Sequence, residues 1–184
     1  MYIYCMNKTE SVRLIPAPAS DLPEIFGLYK AAIAHLDAYG MHFWDFNRYP
    51  NADVLTADRM RGELYCARDG GTGRIAACIV LSTEYDEQYN NAQWEYPSDR
   101  PLIVHRLCIH PDFQNKGLGR AVMRAAEALG RERGFTVIRL DAFSGNPASL
   151  ALYGHLGFRK AGEANWTKGM FWLMEKSLHG GPSD

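Results

Sequence analysis

With 184 residues, 47% of them hydrophobic, and a formal net charge of −1, the chain can bury one substantial core, and nothing in its length requires a second. A pI near 6.6 excludes the broad basic surface on which a dedicated nucleic-acid protein relies. No apolar run reaches membrane-span length, and Met1 to Lys8 lacks the apolar stretch and cleavage pattern of a signal peptide, so neither insertion nor secretion is expected.

Residues 1–10 read as an N-terminal extension to a single domain over 11–178. Val12 to Ile15 reads as a short strand. Ser20 or Asp21 is placed to cap a helix whose Leu22, Ile25, Phe26, Tyr29, Ile33 and Leu36 share one face, and Gly40 ends it. An aromatic loop from Met41 to Pro50 leads to a second helix beginning near Asn51 to Asp53. Glu63 to Arg68 and Arg74 to Leu81 then read as a hairpin across Asp69-Gly70-Gly71-Thr72-Gly73. Tyr85 to Arg100 is polar and aromatic. Phe171 to Leu178 reads as the strand that closes the sheet, and residues 179–184 as a loose tail.

The segment from Leu102 to Gly130 carries the first chemical signal. Leu102 to Ile109 reads as a buried strand ended by Pro111. Beyond it, Leu118, Ala121, Val122, Ala125, Ala126 and Leu129 recur at helical spacing, with Arg120, Arg124 and Glu127 on the other face. Gly117 and Gly119 remove Cβ where the chain turns into this helix, so consecutive N–H groups can close on an anion at the positive helix end. The ligand this predicts is a pyrophosphate. The G-x-x-x-x-G-K-[ST] and G-x-G-x-x-G patterns are both absent, because Lys116 precedes the glycines and Met123-Arg124 stands where a third Gly or Ala would be.

A second block follows the alternating strand Thr136 to Phe143. Asn146 suits an N-cap, Pro147 the first helical turn, and Gly157 a left-handed exit, which predicts strand, capped helix, strand.

Together these blocks resemble the GCN5-related N-acetyltransferases (GNAT). Gln114-x-x-Gly117-x-Gly119 is similar to the family's Q/R-x-x-G-x-G/A loop. Asn146, Ser149, Leu152, Tyr153, Gly157 and Phe158 match its N-x-x-A/S-x-x-L-Y-x-x-x-G-F signature. The resemblance implies an α/β fold of element order β-α-α-β-β-β-α-β-α-β-β. Its sheet of about seven strands is mixed but mostly antiparallel and flanked by helices, and its fourth and fifth strands splay apart to admit pantetheine. It further implies that acetyl-CoA is the co-substrate, bound by Gln114, Asn115, Lys116, Gly117, Leu118, Gly119 and Arg120. Leu107, Cys108 and Ile109 would hold the pantetheine and the acetyl oxygen through their backbone, Asn146 would contact the pantetheine arm, and Tyr153 would be the general acid.

The implied reaction is direct attack of a primary amine on the thioester in a ternary complex, which requires loss of an ammonium proton but no covalent enzyme intermediate. The family's glutamate on the fourth strand has no counterpart in Val104-His105-Arg106-Leu107, which leaves His105 and Glu84 as comparable candidates for the base. Trp44, Tyr49, Tyr85, Trp94 and Trp166, with Glu95, are candidates to wall an acceptor pocket for a small-molecule or peptide amine. A non-catalytic acyl-CoA sensor or interaction module on the same fold is the alternative. A homodimer is open. Cys5, Cys66, Cys78 and Cys108 lack ligand spacing and the six histidines form no metal motif, so a cytoplasmic protein without a metal is expected.

Overall fold

The computed structural model describes residues 12–179; Cys5, the 1–10 extension and residues 180–184 of the tail lie outside the described residues. The chain runs β1 (Ile15–Pro16), α1 (Leu22–Ala38), α2 (Ala52–Met60), β2 (Leu64–Arg68), β3 (Ile75–Ser82), β4 (Leu102–Ile109), α3 (Leu118–Glu132), β5 (Val137–Phe143), α4 (Pro147–His155), β6 (Arg159–Trp166) and β7 (Gly169–Ser177). The seven strands form one sheet in the order β1-β2-β3-β4-β5-β7-β6. Every neighbouring pair is antiparallel except β4 with β5. This is the element order and the mixed sheet that the sequence implies.

Three local features differ from expectation. The first strand pairs only at Ile15 and Pro16, opposite Cys66 and Tyr65; Pro16 has no N–H to give a ladder and is confined to a sheet edge. Asp21 does not cap α1 with its side chain. A 3₁₀ turn at Ala19–Asp21 leads into the helix instead, and the Asp21 carboxylate takes the Arg68 guanidinium at 2.6 Å. The last strand is interior, between β5 and β6. Phe171, Leu173, Met174 and Glu175 of β7 are buried, whereas β6 has a single buried residue, Ala164, and tolerates the edge.

Alternation along β3 feeds two cores. Ala77, Ile79 and Leu81 pack with Val122, Met123 and Ala126 of α3 and with Tyr153 of α4. Ile75, Cys78 and Val80 pack with Ile25, Leu28 and Tyr29 of α1 and with Leu55 of α2. Burying one such aliphatic side chain contributes about 1.5–3 kcal/mol, so either helical layer alone is comparable with a typical domain stability of about 5–15 kcal/mol. Both layers are therefore needed to hold the sheet.

The segment between β3 and β4 is pinned by a smaller cluster of Tyr89, Ile103, Ala164 and Leu173. Glu175, fully buried, accepts the Glu95 N–H at 2.7 Å and the Arg159 guanidinium at 2.6 Å. Trp94 lies on the Arg139 guanidinium, 4.2 Å from its ring centroid. Among the described residues no helix is long and apolar enough to cross a membrane, and no three His, Cys, Asp or Glu side chains gather as a metal site requires.

Candidate active site

The parallel ladder between β4 and β5 stops early. It joins Leu102, Ile103 and Val104 to Ile138, Arg139 and Leu140, whereas β4 continues to Ile109 and β5 to Phe143. Opposite β3, β4 advances from His105 to Cys108 while β3 moves only from Val80 to Cys78. That extra residue is a bulge, which bends its strand. Arg106 sits in it with φ of 52°, a conformation that costs a non-glycine residue on the order of 1–3 kcal/mol. Its neighbours hold it there. The Tyr29 hydroxyl donates to the Arg106 carbonyl at 2.7 Å, and the Arg106 guanidinium donates to Tyr49 Oη at 2.6 Å and to Asp58 Oδ1 at 2.7 Å. Asp58 is buried and its Oδ1 is shared between Arg106 and Arg61, so the bulge is held by a buried ionic network together with the two tyrosine hydroxyls.

The splay opens a cavity of about 640 Å³ that runs from the start of α3 to the aromatic loop after α1. At the α3 end, Gln114 turns inward and its amide donates to the Ile109 carbonyl at 3.1 Å, which fixes the strand-to-loop turn. Asn115 and Gly117 take positive φ, 59° and 79°. The first α3 residue whose N–H bonds back is Ala121, to the Gly117 carbonyl at 3.1 Å. Among the described residues no acceptor meets the amides from Asn115 to Arg120. No acid lies in the first turn of α3 to repel an anion.

The two glycines have different reasons. Space at Gly117 is open, so its conformation is the constraint, whereas a Cβ at Gly119 would stand 3.4 Å from Leu152 of α4, an ordinary contact. Gln114, Asn115, Gly117, Leu118 and Gly119 line the cavity. The side chains of Lys116 and Arg120 do not. Lys116 Nζ donates to the Asp112 carbonyl at 2.8 Å instead.

The cavity is also lined by Leu107, Cys108 and Ile109 of β4, by Asn146 at the start of α4 and by Tyr153 within it. Asn146 caps α4, its Oδ1 accepting from the Ser149 N–H at 3.2 Å, so the amide nitrogen is left to face a ligand. Burial pushes the Tyr153 phenol well above its ordinary pKa, and the charge of Asp141 adds to the effect. Burial likewise pushes up the Cys108 thiol, which removes the thiolate that a nucleophile would need.

The far end combines charge and aromatic surface. His105 lines the cavity, and its Nε2 lies 2.9 Å from the Glu84 carbonyl. A carbonyl only accepts, so Nε2 carries the proton and Nδ1 presents a lone pair. Burial holds the His105 pKa below the ordinary imidazole value, although Asp141 and the Glu84 carbonyl oppose the shift. Asp141 of β5 is the one carboxylate among the lining residues. Its Oδ2 accepts from the buried Tyr89 hydroxyl at 3.0 Å. Lys168, in the turn between β6 and β7, reaches the mouth with Nζ 3.7 Å from the Tyr49 ring centroid. Phe43 and Phe143 stack at 4.7 Å, and Phe171 lies 5.4 Å from Phe143.

Of the aromatic candidates, Trp44 and Tyr49 line the cavity, and Tyr85, Trp94 and Trp166 do not. Trp166 packs behind Phe171 at 5.2 Å and Tyr85 against Tyr89 at 5.5 Å. The Glu95 carboxylate pairs with Arg159 at 3.0 Å. The Glu84 side chain is exposed, and its backbone carbonyl is what touches the site. Asp141, Lys168 and the Arg106–Asp58 pair were not singled out from the sequence. Asp141 had a signal, an acid inside the apolar run Val137 to Phe143; Lys168, in a two-residue turn, had none.

The acetyltransferase (GNAT) family model matches residues 28–158. The chain is similar to the ribosomal protein bS18-alanine N-acetyltransferase of Escherichia coli, 36% identical over 89 residues, which cover 48% of this chain and 51% of that protein. The match thus spans about half of that relative's length. It is also similar to the L-methionine sulfoximine/L-methionine sulfone acetyltransferase of Pseudomonas aeruginosa, 27% identical over 154 residues and 83% of each chain. A Salmonella typhimurium structure solved with its cofactor acetyl-CoA superposes with a TM-score of 0.66 at 17% identity, covering 95% of this chain and 98% of that one.

Proposed function

The chain belongs to the acetyltransferase (GNAT) family, and from that premise we propose that it transfers an acetyl group from acetyl-CoA to an amine by direct attack within the cleft. The observation that carries the proposal is the early end of the β4–β5 ladder, which leaves one cavity joining the open amides of α3 to His105 and Asp141. The amides from Asn115 to Arg120 suit a pyrophosphate, and the unpaired edge of β4 suits the amide-bearing arm of pantetheine. The unit is taken to span residues 11–178. A cytoplasmic setting is proposed with it, supported by buried free thiols at Cys66, Cys78 and Cys108.

The chemistry then follows the cavity. Asp141, fixed by Tyr89, attracts the incoming ammonium. His105 Nδ1 takes its proton, while the Glu84 carbonyl holds the ring in the tautomer that leaves Nδ1 free. As the new C–N bond forms and the C–S bond breaks, charge passes from the acetyl oxygen, facing the β4 backbone, to the sulfur. Tyr153 supplies a proton to the departing thiolate and regains one from the acetylated nitrogen, which must shed a second proton. The net proton released is then the one held on His105. The raised pKa makes Tyr153 a weak acid in isolation, but the same burial raises the proton affinity of a thiolate beside it.

The relatives' acceptors, a ribosomal protein alanine and an amino-acid derivative, support an amine acceptor without selecting its size. Free thiol release from acetyl-CoA, followed across amines ranging from free amino acids to N-terminal peptides, tests the proposal. Thiol release that depends on acceptor is expected. Tight CoA binding with none would make the protein an acyl-CoA sensor instead.

A further inference from the structure

The charges at the acceptor end balance in a way that describes the acceptor. Arg106 and Arg61 share the buried Asp58 carboxylate, Arg61 also pairs with Glu63, and Arg106 is held by Tyr49, so two guanidiniums meet two carboxylates and Arg106 is committed within that network. That leaves one anion, Asp141, and one cation, Lys168, among the lysine, arginine and carboxylate groups of the lining. The two are not in ion-pair contact with each other, and among the described residues Lys168 has no hydrogen-bond or ion-pair partner. Lys176 shows the contrast: its ammonium meets both oxygens of Glu127 at 2.8 Å. Lys168 instead lies over the face of Tyr49 at the mouth. Partial burial of the ammonium draws its pKa below the ordinary lysine range against the pull of Asp141, although the residue as a whole lies exposed in its turn.

Between and beside these charges the wall is aromatic. Phe43 stacks on Phe143, Trp44 packs at 5.6 Å from Phe43, and Phe171 closes the corner. The other titratable nitrogen groups of the lining are His35, His105 and Arg106, of which His105 is bonded to the Glu84 carbonyl and Arg106 to Asp58 and Tyr49.

Resting on the acetyltransferase reading above, we propose that the acceptor is a free amino acid with an apolar or aromatic side chain, its ammonium at Asp141, its carboxylate at Lys168 and its side chain against Phe43 and Phe171. An N-terminal peptide brings the ammonium but places an amide where Lys168 seeks a carboxylate. A simple amine brings the ammonium alone and leaves Lys168 with no group to meet. Acidic or basic side chains would carry a charge against aromatic rings, which is costly.

The test compares kcat/KM for L-phenylalanine, L-phenylalaninamide and 2-phenylethylamine, with L-leucine and L-glutamate as side-chain controls, in the wild-type protein and in Lys168→Met and Lys168→Arg. A charge-assisted contact predicts that the free amino acid exceeds its amide by at least about 10-fold. That ratio falls toward one in Lys168→Met and is largely restored in Lys168→Arg. L-Glutamate is the poorest of the amino acids. Lys168 lies in an exposed turn, so both variants should fold, and a thermal melt verifies it. The proposal is overturned if the amide or the simple amine is used as well as the amino acid, or if the preference survives Lys168→Met. If these acceptors fail while other amines release thiol, only the zwitterion is lost; if no amine releases thiol, the acetyltransferase reading falls with it.

Discussion

At the α3 end of the cleft the binding groups are backbone amides from one run of six residues, Asn115 to Arg120. At the other end they are side chains drawn from the 41–49 loop, β4, β5 and the β6–β7 turn, separated by as much of the sequence as lies between Phe43 and Phe171. A backbone site needs little from side-chain identity: a residue that tolerates positive φ at Gly117, nothing bulky or negative nearby, and a helix to follow. A side-chain site depends on the whole fold. Asp141 works with Tyr89 across 52 positions and Arg106 with Asp58 across 48. The first end can therefore be broken by one misplaced charge, whereas the second is tuned by individual hydroxyls and imidazoles.

The largest effect is expected at the backbone end. Gly119→Asp places a carboxylate among amides that would face pyrophosphate, and should weaken CoA binding by about 3 kcal/mol or more, on the order of 10²-fold. Gly119→Ala is the control. Its Cβ meets Leu152 at 3.4 Å, an ordinary contact, so the loss should be small and the difference between the two variants electrostatic. Calorimetry with CoA measures both. Equal affinities for Gly119→Asp and wild type would remove the cofactor from this loop.

Next comes Tyr153, which lines the same cleft. Tyr153→Phe keeps the ring that packs on Phe158 at 5.8 Å and removes only the proton. CoA affinity should hold, while kcat at saturating acetyl-CoA falls by about 10²-fold or less. An unchanged kcat would make Tyr153 a packing residue.

The smallest effect belongs to His105, and it is read in shape more than in size. Burial lowers the His105 pKa, so the neutral, proton-accepting form persists to lower pH than an exposed imidazole would allow. With an acceptor amine whose own pKa lies below the assay range, kcat/KM should rise with pH through a midpoint below the ordinary histidine value and then level off. His105→Gln should lower the plateau by about 10-fold or more and abolish the limb. Glu84→Gln should leave the limb intact, because the structure uses the Glu84 carbonyl and not its carboxylate. Loss of the limb in Glu84→Gln but not in His105→Gln would transfer the role.

The same contrast explains what could be read from the residues alone. Local signals were sufficient for β4, α3 and α4: apolar periodicity, Gly117 at the turn, Asn146 as N-cap and Pro147 behind it all act within a few positions. The β1 register and the interior place of β7 depend on which strand edges remain free after folding, which no local pattern encodes. Lys168 was invisible for a similar reason, since only the β6–β7 hairpin carries that turn over Tyr49. Trp94 and Glu95 lie near the acceptor strand in sequence, but Arg139 and Glu175 fasten them elsewhere through contacts 45 and 80 positions apart.

Direct transfer in the cleft is tested most directly by a quenched reaction in which thiol, N-acetylated amine and intact protein mass are measured on the same samples. With acetyl-CoA alone, the mass should stay unmodified and thiol should not appear above the uncatalysed rate. On addition of amine, thiol and acetylated amine should rise together, one for one, with the protein mass still unchanged. An acetylated protein that forms before the amine is added and then hands its acetyl group on would contradict direct attack, and thiol release with no acetylated amine would contradict amine acetylation itself.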